Sequence, residues 1–297
     1  MPEGVFKPEY WFRPSQLVHR LLRSWGERPE EVEITTPWGV RMWIRPRDAM
    51  GLQIWHLGVL DLPVCEVLWR LLSPGDLAID VGANIGFFAG LMAARVGPRG
   101  RVLAYEPHPE VYRSLDRHAS AWKSRASVMA PVDARECAAS DSEGTTELFE
   151  PGEYANNQGT STLEPTTGQV TRRLTIRKRR LDTELSRAGP IGVMKVDVEG
   201  HEAAVFRGAR SELESGQIRH LVFEEHHSVP SEATELLRSA GYALFKIGRT
   251  FLGPVLSAPE ASHVLPVWLP PNLLATREPD RVRDICSRSG WASLRGR

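Results

Sequence analysis

The sequence predicts a doubly wound α/β domain with a mostly parallel sheet, preceded by an N-terminal cap segment and followed by a tail. Short apolar runs alternate with segments of helical period, joined by short links, which is the pattern of βαβ units covered on both faces. A glycine-rich turn, Asp80-Val-Gly-Ala-Asn-Ile-Gly86, falls between one such run and the next helical segment. The 297 residues are 41% hydrophobic and 25% charged, enough apolar material for a core, and wholesale disorder is excluded. We divide the chain into a Trp-rich cap (1–64), the α/β domain (65–250) and a tail (251–297).

Six of the nine tryptophans, Trp11, Trp25, Trp38, Trp43, Trp55 and Trp69, fall in the first 70 residues. A helix is expected over Ser15–Trp25, then extended pieces at Val32–Thr35 and Val40–Ile44 around the Pro37-Trp38-Gly39 turn. Large aromatics dominate core burial, so the indoles are read as packing the cap onto the domain; the alternative is that some line a ligand cleft. Val64–Leu72 has helical spacing and stops at Ser73-Pro74-Gly75, and Leu77–Val81 reads as a short buried strand. Next come a helix over Phe87–Val96, a strand over Arg101–Tyr105, a helix over Pro109–Ala121, and strand-like pieces at Ser127–Val132 and Glu136–Ala139.

Between Ser140 and Leu181 the composition turns polar, with a turn at Asp141–Gly144 and a loop at Asn156–Ser161 that reads as a lid. Arg172 to Arg180 is a basic run in which Leu174 and Ile176 alternate with charges, as in a half-buried strand. The alternation resumes with a strand over Gly192–Asp197, a helix over Glu202–Glu214, a strand over Ile218–Phe223 and a helix over Ser231–Ser239 capped by Gly241. The tail is Pro-rich and ends in a basic segment, Arg277 to Arg297.

Charge and cysteine usage exclude whole classes. Lys+Arg and Asp+Glu are both 37, a balance unlike that of a dedicated nucleic-acid binder. No window offers the ~18 uninterrupted apolar residues of a membrane span. Met1–Pro8 lacks the basic and apolar regions of a signal peptide, so the expected compartment is the cytoplasm. Cys65, Cys137 and Cys286 are odd in number and widely spaced, which fits neither a disulfide framework nor a thiolate zinc site. Of the 37 basic residues only five are Lys, so each Lys draws notice.

The turn Asp80–Gly86 carries the strongest chemistry. Gly82 and Gly86 let backbone approach a ligand, and the following helix start offers N–H groups to an anion. In the dinucleotide fingerprint a second glycine admits the pyrophosphate. Here that position is Asn84, whose side chain stands in the way. S-adenosylmethionine has no phosphate; Asp80 suits its ammonium, and donors around Ala83 and Asn84 suit its carboxylate. Glu106 closes the next strand, 20 residues beyond Gly86, where an acid accepts from both ribose hydroxyls; Pro107 follows it. Cys137 and Ala138 are placed beside the adenine by strand order. Taken alone, Glu106 would be a surface carboxylate.

In order along the chain, Leu77–Gly86, Tyr105-Glu-Pro-His-Pro109, Ala138-Ala-Ser-Asp-Ser-Glu-Gly144, Leu181-Asp182, Met194-Lys-Val-Asp-Val-Glu-Gly-His-Glu202 and Phe223-Glu-Glu-His226 resemble the FkbM family of S-adenosylmethionine-dependent methyltransferases. The resemblance covers about residues 50–250; the first 50 residues and the tail lie outside it. The glycine turn is shared by many methyltransferases, whereas Lys-x-Asp-x-Glu-Gly-x-Glu is much narrower. The resemblance implies a Rossmann-like class I methyltransferase domain that methylates a hydroxyl of a sugar, glycan or polyketide-type metabolite.

Lys195, Asp197 and Glu199 alternate at the carboxyl end of a strand, where open α/β sheets bind ligands, and share one side if the strand persists, with Val196 and Val198 opposite. Lys195 is either a buried partner of Asp197 or a positioner of cofactor or acceptor. An alcohol must lose its proton to accept a methyl group, so a base is expected: Asp197 first, then His201 and Glu199. A divalent cation held by Asp197 and Glu224, with His226, is the alternative; we do not predict it. The alternative reading of Glu202, Glu224, Glu225, His226 and His227 is helix-start and surface polarity, and it is preferred for His227. A nicotinamide-dependent oxidoreductase and a methyltransferase-like module without catalysis remain the rival readings. A homo-oligomer is compatible with the sequence.

Overall fold

A computed structural model describes residues 7–23, 27–152, 161–164, 170–186, 188–261 and 270–296. The N-terminal segment forms α1 (Pro8–Trp11), α2 (Pro14–Arg23), a hairpin of β1 (Val32–Thr35) and β2 (Arg41–Ile44), and α3 (Ala49–Leu57). Then follow α4 (Leu62–Leu71), β3 (Leu77–Val81), α5 (Phe87–Val96), β4 (Arg101–Tyr105), α6 (Pro109–Trp122), β5 (Val132–Arg135), β6 (Ala138–Ser140), β7 (Gly144–Pro151), β8 (Val170–Arg180) and α7 (Leu181–Leu185). The chain continues with β9 (Ile191–Val196), α8 (Glu202–Gly208), α9 (Arg210–Ser215), β10 (Ile218–Glu224), α10 (Glu232–Ser239), β11 (Ala243–Arg249), β12 (Pro254–Ser257), β13 (Asn272–Thr276) and α11 (Pro279–Ser287). Among the described residues no single helix is long and apolar enough to cross a membrane.

Eight strands form the main sheet in the order β12-β11-β13-β10-β9-β3-β4-β5. The run from β10 to β5 is parallel, and β13 enters antiparallel between β10 and β11. The pleat sends alternate residues to opposite faces. Ala78, Val193 and Val222 join the cluster beneath α4, α5 and the cap, while Ile79, Val81, Met194 and Phe223 join the cluster beneath α8 to α10. A small sheet, β6-β8-β7, stands apart, with the basic strand β8 alternating as its sequence implied.

Four expectations need correction. Ser127–Val132 is not a strand: Val128 is exposed, Ala130 N donates to Ala93 O, and the apolar residues anchor a turn onto α5 until Pro131, which has no N–H for a ladder, gives way to β5. The strand expected over Glu136–Ala139 shrinks to β6 and belongs to the small sheet. The helix expected over Glu202–Glu214 breaks at Ala209, because α8 closes on β6 at Gly208, where a Cβ would lie 1.9 Å from Ser140 O. The first long helix, Pro14–Arg23, starts one residue before the expected Ser15; its expected end at Trp25 lies outside the described residues, as do residues 156–160 of the expected lid.

α3 was not anticipated, although Asp48 caps its start by accepting from Gly51 N and Gly58, at φ 78°, ends it. The tail is likewise more than an extension, since β12 and β13 complete the sheet. Trp38 and Trp69 are buried, Trp43 and Trp55 are half-buried and Trp11 is exposed; none of the five lines the cavity described below.

The end of the chain is fastened by Glu66, which is fully buried on α4. Its carboxylate accepts from Arg70 Nε (2.6 Å), Ala292 N (2.9 Å), Ser293 N (2.8 Å) and Ser293 Oγ (2.7 Å). Arg70 in turn donates to the carbonyls of Ile285, Arg288 and Gly290. Removing one partner leaves the other charge buried, which costs about 3–5 kcal/mol. Glu66→Ala is therefore expected to lower stability in urea by that amount and to make the segment around Trp291 an early site of limited proteolysis.

Candidate active site

A cavity of about 500 Å³ opens at the carboxyl ends of β3, β4, β9 and β10, the edge at which doubly wound sheets bind ligands. Its wall combines the β3–α5 turn (Gly82, Ala83, Asn84), the end of β4 (Glu106, Pro107), Cys137 and Ala138 before and in β6, Lys195 near the end of β9, and Asp197, Glu199 and His201 after it. Ala49, Met50 and Gln53 of α3, Asp61, Glu224 and Asn272 close the other side.

Gly82 has φ 75°, and a Cβ there would lie 1.8 Å from Asp197 O. The turn after β3 thus rests directly on the loop after β9, where Asp197 N also donates to Val81 O (3.0 Å). Only glycine permits both the left-handed backbone and the approach.

The turn's amides are already engaged, contrary to their expected role toward a ligand. Gly82 N and Ala83 N donate to Tyr105 O (3.0 and 2.9 Å), Asn84 N to Glu106 Oε2 (2.9 Å), Ile85 N to Asn84 Oδ1 (2.7 Å) and Gly86 N to Ala83 O (2.8 Å). Gly86 also lies away from the cavity, packed under α6, where a Cβ would meet Leu115 Cδ1 at 2.7 Å. What the turn holds in place is Glu106. Its other oxygen accepts from His108 N (2.8 Å), and burial, only partly offset by these two amides, pushes its carboxyl up to about 7.

Asp80 is likewise displaced from its expected place. It is fully buried beneath the turn and does not line the cavity; neither oxygen has a hydrogen-bond partner, and Lys195 Nζ is 4.0 Å away. The register pairs Asp80 with Lys195 across β3 and β9. Lys195 then reaches Asp197 Oδ2 at 3.0 Å, over the ring of Phe88 at 4.6 Å. Lys195 is thus the buried partner of Asp197, and it also lines the cavity.

β9 ends at Val196, so the three alternating residues do not share a continuous strand. Glu199 sits in a turn at φ 53°, yet the turn returns it to the cavity. Glu202 braces this turn by accepting from Val198 N and Gly200 N (3.2 and 3.3 Å), a more specific role than helix-start polarity. Oxygens of Asp197, Glu199 and Glu224 lie within 4.8 Å of one another, a spacing that suits oxygen ligands of a cation. His226 Nε2 backs them, 3.5 Å from Glu224 and 3.9 Å from Glu199.

The protonation states diverge. Burial opposes ionisation of Asp197, but Lys195 holds its carboxyl below the usual range. Burial and the Asp197 charge push Glu199 up to about 8. Burial alone would lower His226, yet the close Glu224 carboxylate at 3.5 Å and the other surrounding carboxylates carry it up to about 9. His201 is held between Ser140 Oγ (3.0 Å) and Glu164 Oε1 (2.8 Å), which makes it a strut. Burial pushes the Cys137 thiol up to about 11, so it is no nucleophile. Glu225 is buried and accepts from His227 N and Ser231 Oγ, and His227 is exposed.

Sequence reasoning did not find Asp61 and Asn272. Asp61 Oδ1 caps α4 by accepting from Val64 N (3.1 Å), and Oδ2 accepts from Asn272 Nδ2 (3.0 Å). The Asp61-Leu-Pro63 start signal was legible. Asn272 carried no signal, since only the insertion of β13 beside β10 brings it to this edge.

Fold and site together define a Rossmann-like methyltransferase domain. Residues 80–244 match the family described as Methyltransferase FkbM domain, and the chain belongs to that family. It is 36% identical over 128 residues to methyltransferase sdnD of Sordaria araneosa, a stretch covering 43% of this chain but only 46% of that protein. It is 30% identical to the hexuronic acid methyltransferase AglP of Haloferax volcanii, over 63% of this chain and 73% of that one. It is also 30% identical to the 31-O-demethyl-FK506 methyltransferase FkbM of Streptomyces tacrolimicus, over 58% and 75%.

Asp80 binds its proton more tightly in the folded chain, up to about 6 against 3.8 without burial. The folded state therefore holds more protons in that window, and this group's contribution to stability falls as pH rises from about 4 to about 6. Asp80→Asn removes that dependence. In urea unfolding at pH 5 and pH 8, the variant is expected to gain stability relative to the parent at the higher pH.

Proposed function

We propose that this chain is an S-adenosylmethionine-dependent O-methyltransferase acting on a hydroxyl of a sugar, glycan or polyketide-type metabolite. The observation that carries the reading is the single cavity wall that brings a buried carboxylate at the end of β4, Glu106, together with an ionised carboxylate at the end of β9, Asp197. When bound, the cofactor supplies a methyl group on a sulfonium.

The donor set fits that cofactor. Each Glu106 oxygen accepts one backbone amide and keeps a lone pair for a ribose hydroxyl. Cys137 and Ala138 offer a small apolar border for an adenine. With the backbone amides engaged, the side-chain NH₂ of Asn84 is the donor the turn offers to a carboxylate. A pyrophosphate finds no free nest of amides here, which weighs against the nicotinamide reading.

At the other end of the wall, Asp197 would accept the proton of an acceptor hydroxyl whose oxygen takes the methyl group that the cofactor would supply. Lys195 fixes Asp197 and keeps it ionised. Glu199 and Glu224 orient the acceptor. The lining carries Asp61, Glu106, Asp197, Glu199 and Glu224 against Lys195, His108 and His201, all three of them engaged. That balance suits a neutral polyol face better than a carboxylate-bearing one. The relatives named for a hexuronic acid and for 31-O-demethyl-FK506 support a sugar or polyketide-type acceptor, while the acidic lining here favours one without a carboxylate.

Calorimetric titration is expected to show binding of S-adenosylmethionine and its demethylated product but not of NAD. Asp197→Asn should cut turnover by about 10²–10⁴-fold, the usual contribution of a positioned base, while changing donor Kd by less than about threefold, within the scatter expected of a group that does not bind the donor. Loss of donor binding instead would reassign Asp197 to the cofactor. If Glu199 shares the proton, kcat should rise through about pH 8, where it ionises, and Glu199→Gln should remove that limb.

A further inference from the structure

Among the described residues seven large apolar side chains are exposed, and six of them belong to one region: Trp11, Val18, Leu21, Leu22, Phe251 and Leu252. The two segments meet where the Trp11 ring packs edge-on against Phe251, with centroids 6.1 Å apart. On α2, Val18, Leu21 and Leu22 are spaced three and four apart and share a face. Leu22 is 71% exposed and Val18 54%. The other face of α2 is fastened down: Gln16 Nε2 donates to Trp55 O and His56 O, and the Arg23 guanidinium stacks 3.8 Å over Trp55.

The charge here has one sign. Residues 10–26 contain Arg13, His19, Arg20 and Arg23 and no carboxylate, in a chain balanced at 37 against 37. An apolar face of Val18, Leu21 and Leu22 on α2, with Trp11 on the preceding α1 and arginines within α2 and just before it, is the composition of an interfacial segment that lies in the headgroup layer. Anionic headgroups attract such a flank. Self-association through this face would bring the same arginines of two copies together, since a two-fold contact uses one patch twice.

We propose that α2 and the β11–β12 turn form a docking face for an anionic phospholipid surface. The face is coupled to the cavity through α3, which receives α2 at Trp55 and His56 and lines the cavity with Ala49, Met50 and Gln53. The proposal stands on exposure and charge alone and does not depend on the identity of the acceptor.

Co-sedimentation with large vesicles tests it. The full chain is expected to pellet with vesicles of equal parts phosphatidylglycerol and phosphatidylcholine, to stay in solution with phosphatidylcholine alone, and to be released by raised salt. The double substitution Val18→Gln/Leu22→Gln should lower the partition coefficient about tenfold or more, by removing two apolar groups from the contact. Val128→Gln, which alters the exposed apolar residue outside this region, should leave it unchanged. Because all three side chains are more than half exposed, thermal midpoints should not move. Absence of binding to the anionic vesicles, or equal binding by the double variant, would overturn the proposal. So would a dimer in sedimentation velocity that the same double substitution converts to monomer.

Discussion

The buried ammonium of Lys195 is the interaction on which the rest of the site depends. A cation this deep is tolerated only where opposite charge meets it, and here Asp197 lies at 3.0 Å and Asp80 at 4.0 Å, with the face of Phe88 at 4.6 Å. The parallel register that pairs Asp80 with Lys195 puts both on the α4–α5 face of the sheet. Two residues further along the same segment, just past the end of β9, the same cation fixes the first residue of the loop that forms the cavity wall. A compact point charge on a flexible stem suits a site that must reach two carboxylates at different depths, whereas a planar fork would demand one bidentate partner. In a chain with five lysines among 37 basic residues, this accounts for a lysine here.

The glycine turn then follows from where Asp197 sits. Gly82 touches Asp197 O, and the turn's remaining backbone closes on Tyr105 O and Glu106. Three parallel strands, β9, β3 and β4, are in this way joined at their carboxyl ends by main-chain contacts. The usual account of such a turn, as a cradle of free amides, gives way to one in which it is a spacer. It keeps Glu106 buried and displayed at a fixed distance from Asp197.

Much of this was legible in the sequence because it is local. Phe87–Val96 and Arg101–Tyr105 are runs whose period and flanking glycines leave one reading, and both occur as expected. Glu106 and Asp197 were identifiable because each ends a buried strand. What was not legible depends on contacts between distant segments. The fate of the turn's amides is decided by Tyr105 O, and the burial of Asp80 by the register of β9. Glu202–Glu214 has unbroken helical period, yet Gly208 meets β6 and the helix divides. Asn272 becomes part of the cavity only through the antiparallel insertion of β13, which has no signature in its own composition. Asp61 is the intermediate case: its capping pattern was visible, but its carboxylate's second partner lies 211 residues away.

The acid cluster shows how one fold separates groups that begin alike. Asp197, Glu199 and Glu224 converge within 4.8 Å, and three charges at that spacing in a partly buried wall cannot all ionise near neutrality. Lys195 decides which one does, because it contacts Asp197 and neither of the others. Once Asp197 is charged, its field adds to burial and drives Glu199 upward, while His226, drawn toward Glu224 and Glu199, stays protonated. The outcome is an ionised acceptor of protons beside a carboxyl that holds its proton to about pH 8. Two carboxyl groups whose environments push them apart can divide the work of accepting and donating hydrogen bonds to one hydroxyl. That division rests on a single cation placed by strand register one residue before β9 ends, which is why the chemistry of this edge is inseparable from the packing of the sheet beneath it.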